Sequence, residues 1–204
     1  MEIYFVRHGQ TDGNLSRRHQ IDTTELTFTG REQAVAAAKK IKALEPTHII
    51  TSSLVRAIET AREIGNECSM VPEVSGHFVE IIRPDSMVGV HHFSFTSLWF
   101  YVQWYFGRDT AKTLGGESYR DLRNRIERAK SALAELPQDA RVVVVSHGVF
   151  INFFLIHMCD GRWMSPLRAL RALKSILHMP NTKITKISYD PAVSDNVCAW
   201  AVDR

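Results

Sequence analysis

Two apolar runs in this chain end in the same dipeptide. The first, Ile3-Tyr4-Phe5-Val6, leads into Arg7-His8-Gly9-Gln10-Thr11, and the second, Val142 to Val145, leads into Ser146-His147-Gly148. Neither run alternates polar with apolar residues, which is the pattern of a strand covered on both faces in a parallel sheet. Ligands of open α/β sheets bind beyond the carboxyl ends of the strands. Two histidines delivered there can face each other across one small pocket.

Helical signals separate the strands. Thr29-Gly30-Arg31-Glu32 has the form of a capping box, with Thr29 as the expected N-cap of a helix through Ala34, Val35, Ala38 and Ile41 that Pro46 closes. His48 to Thr51 reads as a second strand. Ser52 or Ser53 is expected to cap a helix that carries Leu54, Ala57, Ile58, Ala61 and Ile64 and stops at Gly65, and Met70 to Val74 reads as a short third strand. Later come a long helix over 117–136, a buried helix from Gly148, a shorter basic helix over 165–174, and two edge strands or a hairpin over 183–189 and 196–202. The expected fold is a three-layer α/β/α domain over 1–204, its sheet mostly parallel with helices on both faces. Residues 76–116 break the alternation with histidines, aromatics, Pro84, Gly89, Gly107 and Gly115-Gly116. They read as an inserted cap.

Composition narrows the function classes. The 204 residues carry a net charge of only +3 and no long basic run, so a nucleic-acid surface is not expected. The three cysteines are widely spaced, odd in number and lack a Cys-x-x-Cys, which argues against a disulfide framework or a zinc site and favours free thiols in a reducing compartment. The longest apolar stretch, Val149 to Met158, contains Asn152 and His157 and is too short to span a bilayer. The N-terminus opens directly on a strand, without a basic segment and apolar signal core. The reading is a cytoplasmic protein with no membrane partner.

The ordered set of Arg7-His8-Gly9, Ser53-Leu54-Val55-Arg56-Ala57 and Ser146-His147-Gly148 resembles the histidine phosphatase (phosphoglycerate mutase-like) superfamily. The resemblance spans most of the chain. Glu80-Ile81-Ile82-Arg83-Pro84-Asp85-Ser86 is similar to a small bacterial-type phosphatase branch, and Gly116-Glu117-Ser118 to the family's helix start. The family pattern implies His8 as nucleophile and Arg56 in the phosphate pocket. It implies His147 as a donor to a phosphate oxygen, Asn14 as a phosphate ligand and Glu80 as acid and base.

The residue chemistry is consistent with these roles. A neutral imidazole has a free lone pair, and attack on phosphorus divides one hard displacement into two easier ones. Arg7 and Arg56 present forked, permanently charged donors that match phosphate oxygens. Glu80 lies in an apolar setting that raises a carboxyl pKa toward neutrality, as a group serving as acid and then base requires. Glu73 and Asp85 are its competitors. Arg56 can alternatively pair with Glu59 or Glu63, Asn14 can simply stabilise a turn, and Glu117 is assigned a structural role.

His77, His91 and His92 match no metal-ligand spacing, so no metal and no cofactor is expected. The aromatic tract from Phe93 to Phe106 reads as a helix clamped on the core, with a substrate wall or subunit interface as alternatives. The expected activity is metal-independent hydrolysis of phosphomonoesters through a phosphohistidine, with a small phosphorylated molecule or a phosphoprotein as substrate. A phosphoglycerate mutase-type phosphotransferase and a non-catalytic phospho-ligand binder are the alternatives. Mutases of the family resemble Arg-His-Gly-Glu-Ser-x-Trp-Asn, where this chain has Gln10-Thr11-Asp12-Gly13-Asn14.

Overall fold

The computed structural model describes residues 1–106, 115–159, 164–193 and 198–203. Strand β1 (Glu2–Arg7) runs parallel to β4 (Arg141–Ser146), and β4 is flanked on its other side by parallel β2 (His48–Thr51). The sheet has six strands in the order β3-β2-β4-β1-β5-β6. Its outer members are β3 (Glu73–Val74), parallel to β2, and β5 (Ile184–Tyr189) and β6 (Trp200–Val202), which pair antiparallel.

The central strands are apolar throughout because both faces are covered. Tyr4, Val6, Ile49, Val143 and Val145 point to one face, where they meet Ala38 and Ile41 of α2 (Phe28–Lys42) and Ala57, Ala61 and Ile64 of α3 (Val55–Cys68). Ile3, Phe5, Ile50, Val142 and Val144 point to the other. There they meet Leu122, Ile126, Ala129 and Leu133 of α5 (Tyr119–Ala134) and Phe150 and Phe154 of α6 (Gly148–His157). The result is the three-layer α/β/α arrangement read from the sequence. Short α1 (Asp12–Ser16) follows β1, and α7 (Pro166–His178) leads back to β5, extending beyond the expected end at Lys174. No helix among the described residues is long and apolar enough to cross a membrane.

Of the expected cap, residues 107–114 lie outside the described residues. The remainder forms two 3₁₀ turns, Gly76–Phe78 and Asp85–Met87, and α4 (Phe95–Tyr105). Helix α4 is clamped as expected. Phe100 and Trp104 enter the core, Trp104 lies edge-on to Tyr119 and Phe153, and its indole N–H donates to the Glu117 carbonyl (3.0 Å).

Several local expectations shift. The N-cap of α2 is Thr27, not Thr29; its hydroxyl accepts from the Gly30 amide at 3.0 Å. The displaced start lets the first turn of α2 press on the loop after β1, where a Cβ on Gly30 would lie 2.1 Å from the Gln10 carbonyl oxygen. Gly9 meets the same constraint from the opposite side, at 2.4 Å from the Gly30 oxygen. Its glycine therefore permits backbone contact rather than opening space for an anion. Neither Ser52 nor Ser53 is the N-cap of α3. That position is Leu54, and the Ser52 hydroxyl accepts its amide at 3.3 Å. The third strand keeps only Glu73 and Val74, both exposed at the sheet edge, and Asn196 and Val197 of the expected last strand fall outside the described residues.

The thiol expectation is corrected. Cys159, just past α6, and Cys198, just before β6, form a disulfide with their Cα atoms 5.4 Å apart, and Cys68 alone is free. Spacing along the chain concealed the pair, because α6 and β6 converge only after β5 has crossed to the far side of β1. With the disulfide present, the cysteine argument for a reducing compartment no longer stands. Closing a loop of 39 residues restrains the unfolded chain by about 4 kcal/mol. Cys198→Ser is expected to lower the unfolding free energy by up to that amount in urea titrations. Identical midpoints with and without reductant would contradict the cross-link.

Candidate active site

In the parallel ladder Arg7 sits opposite Ser146, so the residues that follow, His8 and His147, emerge side by side at the carboxyl end of the sheet. Their ring centroids are 5.1 Å apart and both side chains are buried. His8 Nδ1 lies 2.7 Å from the Gly9 carbonyl oxygen. A carbonyl only accepts, so Nδ1 carries the ring proton and Nε2 keeps the lone pair. Burial, followed by the charges of Arg56 and Arg7, pushes the His8 pKa well below its usual value and leaves the ring neutral at pH 7. His147 is pushed down by burial and then by Arg56 and His8. Its Nε2 lies 2.7 Å from Ser52 Oγ, while its buried Nδ1 has no partner. With the Ser52 hydroxyl donating to Nε2, Nδ1 is a free donor.

Cationic and amide donors surround the pair. Arg56 is the second residue of α3 and is buried; its Nη1 donates to the Ile21 carbonyl at 3.0 Å and its Nε is unpaired. Burial brings its pKa down to about 10, still charged at neutral pH. The alternative ion pair does not form with Glu59, which instead accepts from Arg31 (2.8 Å) and the Leu26 amide (2.6 Å). Arg7 is anchored by a hydrogen bond to the Met179 carbonyl, and its buried Nε is also unpaired. Asn14 has the turn-stabilising geometry and also lies at the cavity. Its Oδ1 completes a capping box with Thr11 (3.2 Å) and accepts from Asn181 (3.1 Å), yet the side chain lines the same cavity as His8.

Glu80 occupies the remaining side. Its carboxylate accepts from the amides of Ile81 (3.0 Å), Val149 (3.3 Å) and Phe150 (3.0 Å), which seats it on the amino end of α6 beside Gly148. Its competitors lie elsewhere: Glu73 is exposed on the edge strand and Asp85 is exposed in the second 3₁₀ turn. Arg7, His8, Asn14, Arg56 and Glu80 thus share one cavity of about 500 Å³, with His147 packed behind His8.

Arg125 was not singled out in the sequence. It is buried on α5 and forms a two-pronged pair with Glu117, Nε to Oε2 at 3.1 Å and Nη2 to Oε1 at 2.5 Å. It also donates to the carbonyls of His77 (3.1 Å), Val79 (2.7 Å) and Glu80 (3.4 Å), and Glu117 accepts the Ile82 amide (3.0 Å). The pair therefore grips the backbone on both sides of Glu80, and the structural role assigned to Glu117 is its geometry here. A sequence signal existed: Arg125 interrupts the apolar stripe of Leu122, Ile126 and Ala129.

The cap histidines have local assignments. His91 Nδ1 accepts the Phe93 amide at 3.2 Å, and the His92 ring lies 4.6 Å from that of His19. Among the described residues no group of three or more His, Cys, Asp or Glu side chains is placed to hold a metal ion. The Arg17-Arg18-His19 segment divides. Both arginines are exposed at the cavity mouth, whereas His19 is buried.

The model of the Histidine phosphatase superfamily (branch 1) matches residues 3–197. A probable phosphoglycerate mutase, GpmB, of Salmonella paratyphi A is 30% identical over 198 residues, covering 93% of this chain and 85% of the relative. The structure of a mycobacterial glucosyl-3-phosphoglycerate phosphatase complexed with VO3 is 28% identical and superposes with a TM-score of 0.76, covering 99% of this chain and 96% of that one. A phosphoserine phosphatase from Entamoeba histolytica, at 22% identity, shares the fold with a TM-score of 0.72 over 100% of this chain and 95% of its own.

The buried histidines make stability depend on pH. Burial is the first cause of the lowered pKa of His8, His19 and His147, so each binds a proton more readily when unfolded. Below about pH 6.5, unfolding takes up protons, and each histidine removes about 1.4 kcal/mol of stability per pH unit. The melting temperature is expected to fall steadily from pH 6.5 to 5. A flat profile over that range would contradict the neutral, buried state of these rings.

Proposed function

The chain belongs to the histidine phosphatase superfamily (branch 1), and from this premise we propose a metal-independent phosphomonoester hydrolase that works through a phosphohistidine at His8. The observation that carries the reading is the His8 ring itself: Nδ1 is held by the Gly9 carbonyl, and the ring is kept neutral beside two arginines in a cavity open to solvent at Arg17 and Arg18. The lone pair of Nε2 attacks phosphorus, an N–P bond forms and the P–O bond to the leaving group breaks. Glu80, as the carboxylic acid, gives its proton to the departing oxygen. In the second step Glu80, now the carboxylate, removes a proton from water. The hydroxide attacks phosphorus, the N–P bond breaks, and inorganic phosphate leaves with Glu80 protonated again.

Charge stabilisation is assigned to the surrounding donors. Arg7 and Arg56 hold the equatorial oxygens with guanidinium groups whose Nε atoms have no partner among the described residues. His147 donates from Nδ1, and Asn14 from its side-chain amide. The substrate is a small phosphorylated molecule. Hydrolysis is favoured over a mutase cycle by the Gln10-Thr11-Asp12-Gly13-Asn14 segment and by the exposed mouth, through which water reaches the phosphoenzyme.

His8→Ala is expected to lower p-nitrophenyl phosphate turnover on the order of a thousandfold or more. Activity that survives the change would rule out the phosphohistidine. In Glu80→Gln, phosphoenzyme labelling should persist while turnover falls, since the leaving nitrophenolate needs little help but water needs a base. Chelator should leave wild-type turnover unchanged. With 3-phosphoglycerate and its bisphosphate primer, free phosphate rather than the isomer is expected; isomer formation would move the assignment to the mutase.

A further inference from the structure

The cavity continues past the phosphoryl donors. Its far wall is formed by Arg83, His19, His92 and Phe93. At about 500 Å³ it falls within the range of whole small-molecule sites, far more than one phosphoryl group fills. Arg83 follows Glu80 by three residues, so their Cα atoms are at most about 10 Å apart.

The Arg83 guanidinium is held in place. Its Nε donates to the Tyr101 hydroxyl (2.8 Å), its Nη1 to the Ile81 carbonyl (3.3 Å), and its carbon lies 5.9 Å from the centre of the Tyr101 ring. Among the described residues Nη2 has no partner and no carboxylate pairs with the group. The two acids nearby are committed, Glu117 to Arg125 and Glu80 to the amides of α6. Burial and then the Arg83 charge push His19 down to about 3 and lower His92, so both are neutral at pH 7. His19 Nε2 is tied to Ser97 Oγ at 3.0 Å, and its buried Nδ1 is unpaired. Arg83 is therefore the cation of this wall, oriented by two hydrogen bonds, with Glu80 and Glu117 acting on its charge without forming an ion pair among the described residues. An enclosed guanidinium in that state gains most from a carboxylate or phosphate that matches its fork.

We propose that Arg83 sets substrate specificity by seating a second anionic group, a carboxylate or a further phosphate, at the non-reacting end of the phosphomonoester. This rests on the hydrolase reading of the same cavity, and the experiment separates the two. Short alkyl phosphonates, which cannot be hydrolysed, are titrated calorimetrically in three matched forms ending in carboxylate, second phosphonate or carboxamide. The wild type is expected to bind one of the two anion-ended forms at least about tenfold more tightly than the amide, and the stronger of them identifies the group. Arg83→Met should bring the forms within about twofold, and Arg83→Lys, which keeps charge but loses the fork, should fall between. Equal affinities in the wild type, or a preference that survives Arg83→Met, would overturn the proposal. If melting curves show Arg83→Met to be unfolded, Arg83→Gln answers the same question, and the wild-type comparison still decides by itself. The hydrolase reading fails separately, through hydrolysis that persists in His8→Ala.

Discussion

The pairing of β1 with β4 sets the position of everything that follows. Arg7 stands opposite Ser146, and one further step along each strand brings in His8 and His147. A slip of one residue in this ladder would turn each side chain of the slipped strand to the opposite face, mismatching both cores and separating the two histidine rings. The register is held by the valines of β4 and by Ile3, Phe5, Tyr4 and Val6, so burial of the sheet and alignment of the two rings are a single energetic event. The hydrophobic effect, which has no direction of its own, here acquires one from the pleat.

Strand register cannot place Glu80, because that residue lies on a segment without regular structure. Its position depends on Glu117 and Arg125. A buried ion pair stabilises only when its remaining hydrogen-bonding capacity is met, and here the guanidinium satisfies three backbone carbonyls while the carboxylate accepts an amide. The amides at the start of α6 then take the Glu80 side chain. An irregular segment is thus held by side chains: Arg125 of α5 takes the carbonyls of His77, Val79 and Glu80, and Glu117 takes the Ile82 amide.

What the sequence made legible follows the same physics. The central strands and the paired His-Gly turns were readable because continuous apolar runs have few alternatives, and the capping signals placed the starts of α2 and α3 to within two residues. His8, Arg56, Glu80 and His147 stood out because each lies at a strand end, a helix start or an isolated apolar setting. The exceptions depend on contacts between distant segments. Thr27 replaces Thr29 as a cap because Gly30 must meet Gln10. Cys159 and Cys198 join because two elements far apart in sequence converge. Arg83 entered only through the family resemblance, and no local signal announces that Tyr101 and Ser97 of α4 hold Arg83 and His19. Arg125 carried a local signal, a charge within an apolar stripe, but its partners did not.

Residues from both ends of the chain complete the site. The loop that carries α7 into β5 anchors Arg7 through the Met179 carbonyl, and Asn181 donates to the His8 carbonyl (3.0 Å) and to Asn14. During synthesis, the sheet centre and its two histidines are exposed well before this loop emerges from the ribosome. Until Met179 has appeared, Arg7 lacks its anchor, and the nascent polypeptide carries the two histidines with one wall of their cavity missing. The geometry of Arg7 and His8 is therefore completed by a segment 172 residues downstream, and a chain cut before Met179 forfeits it.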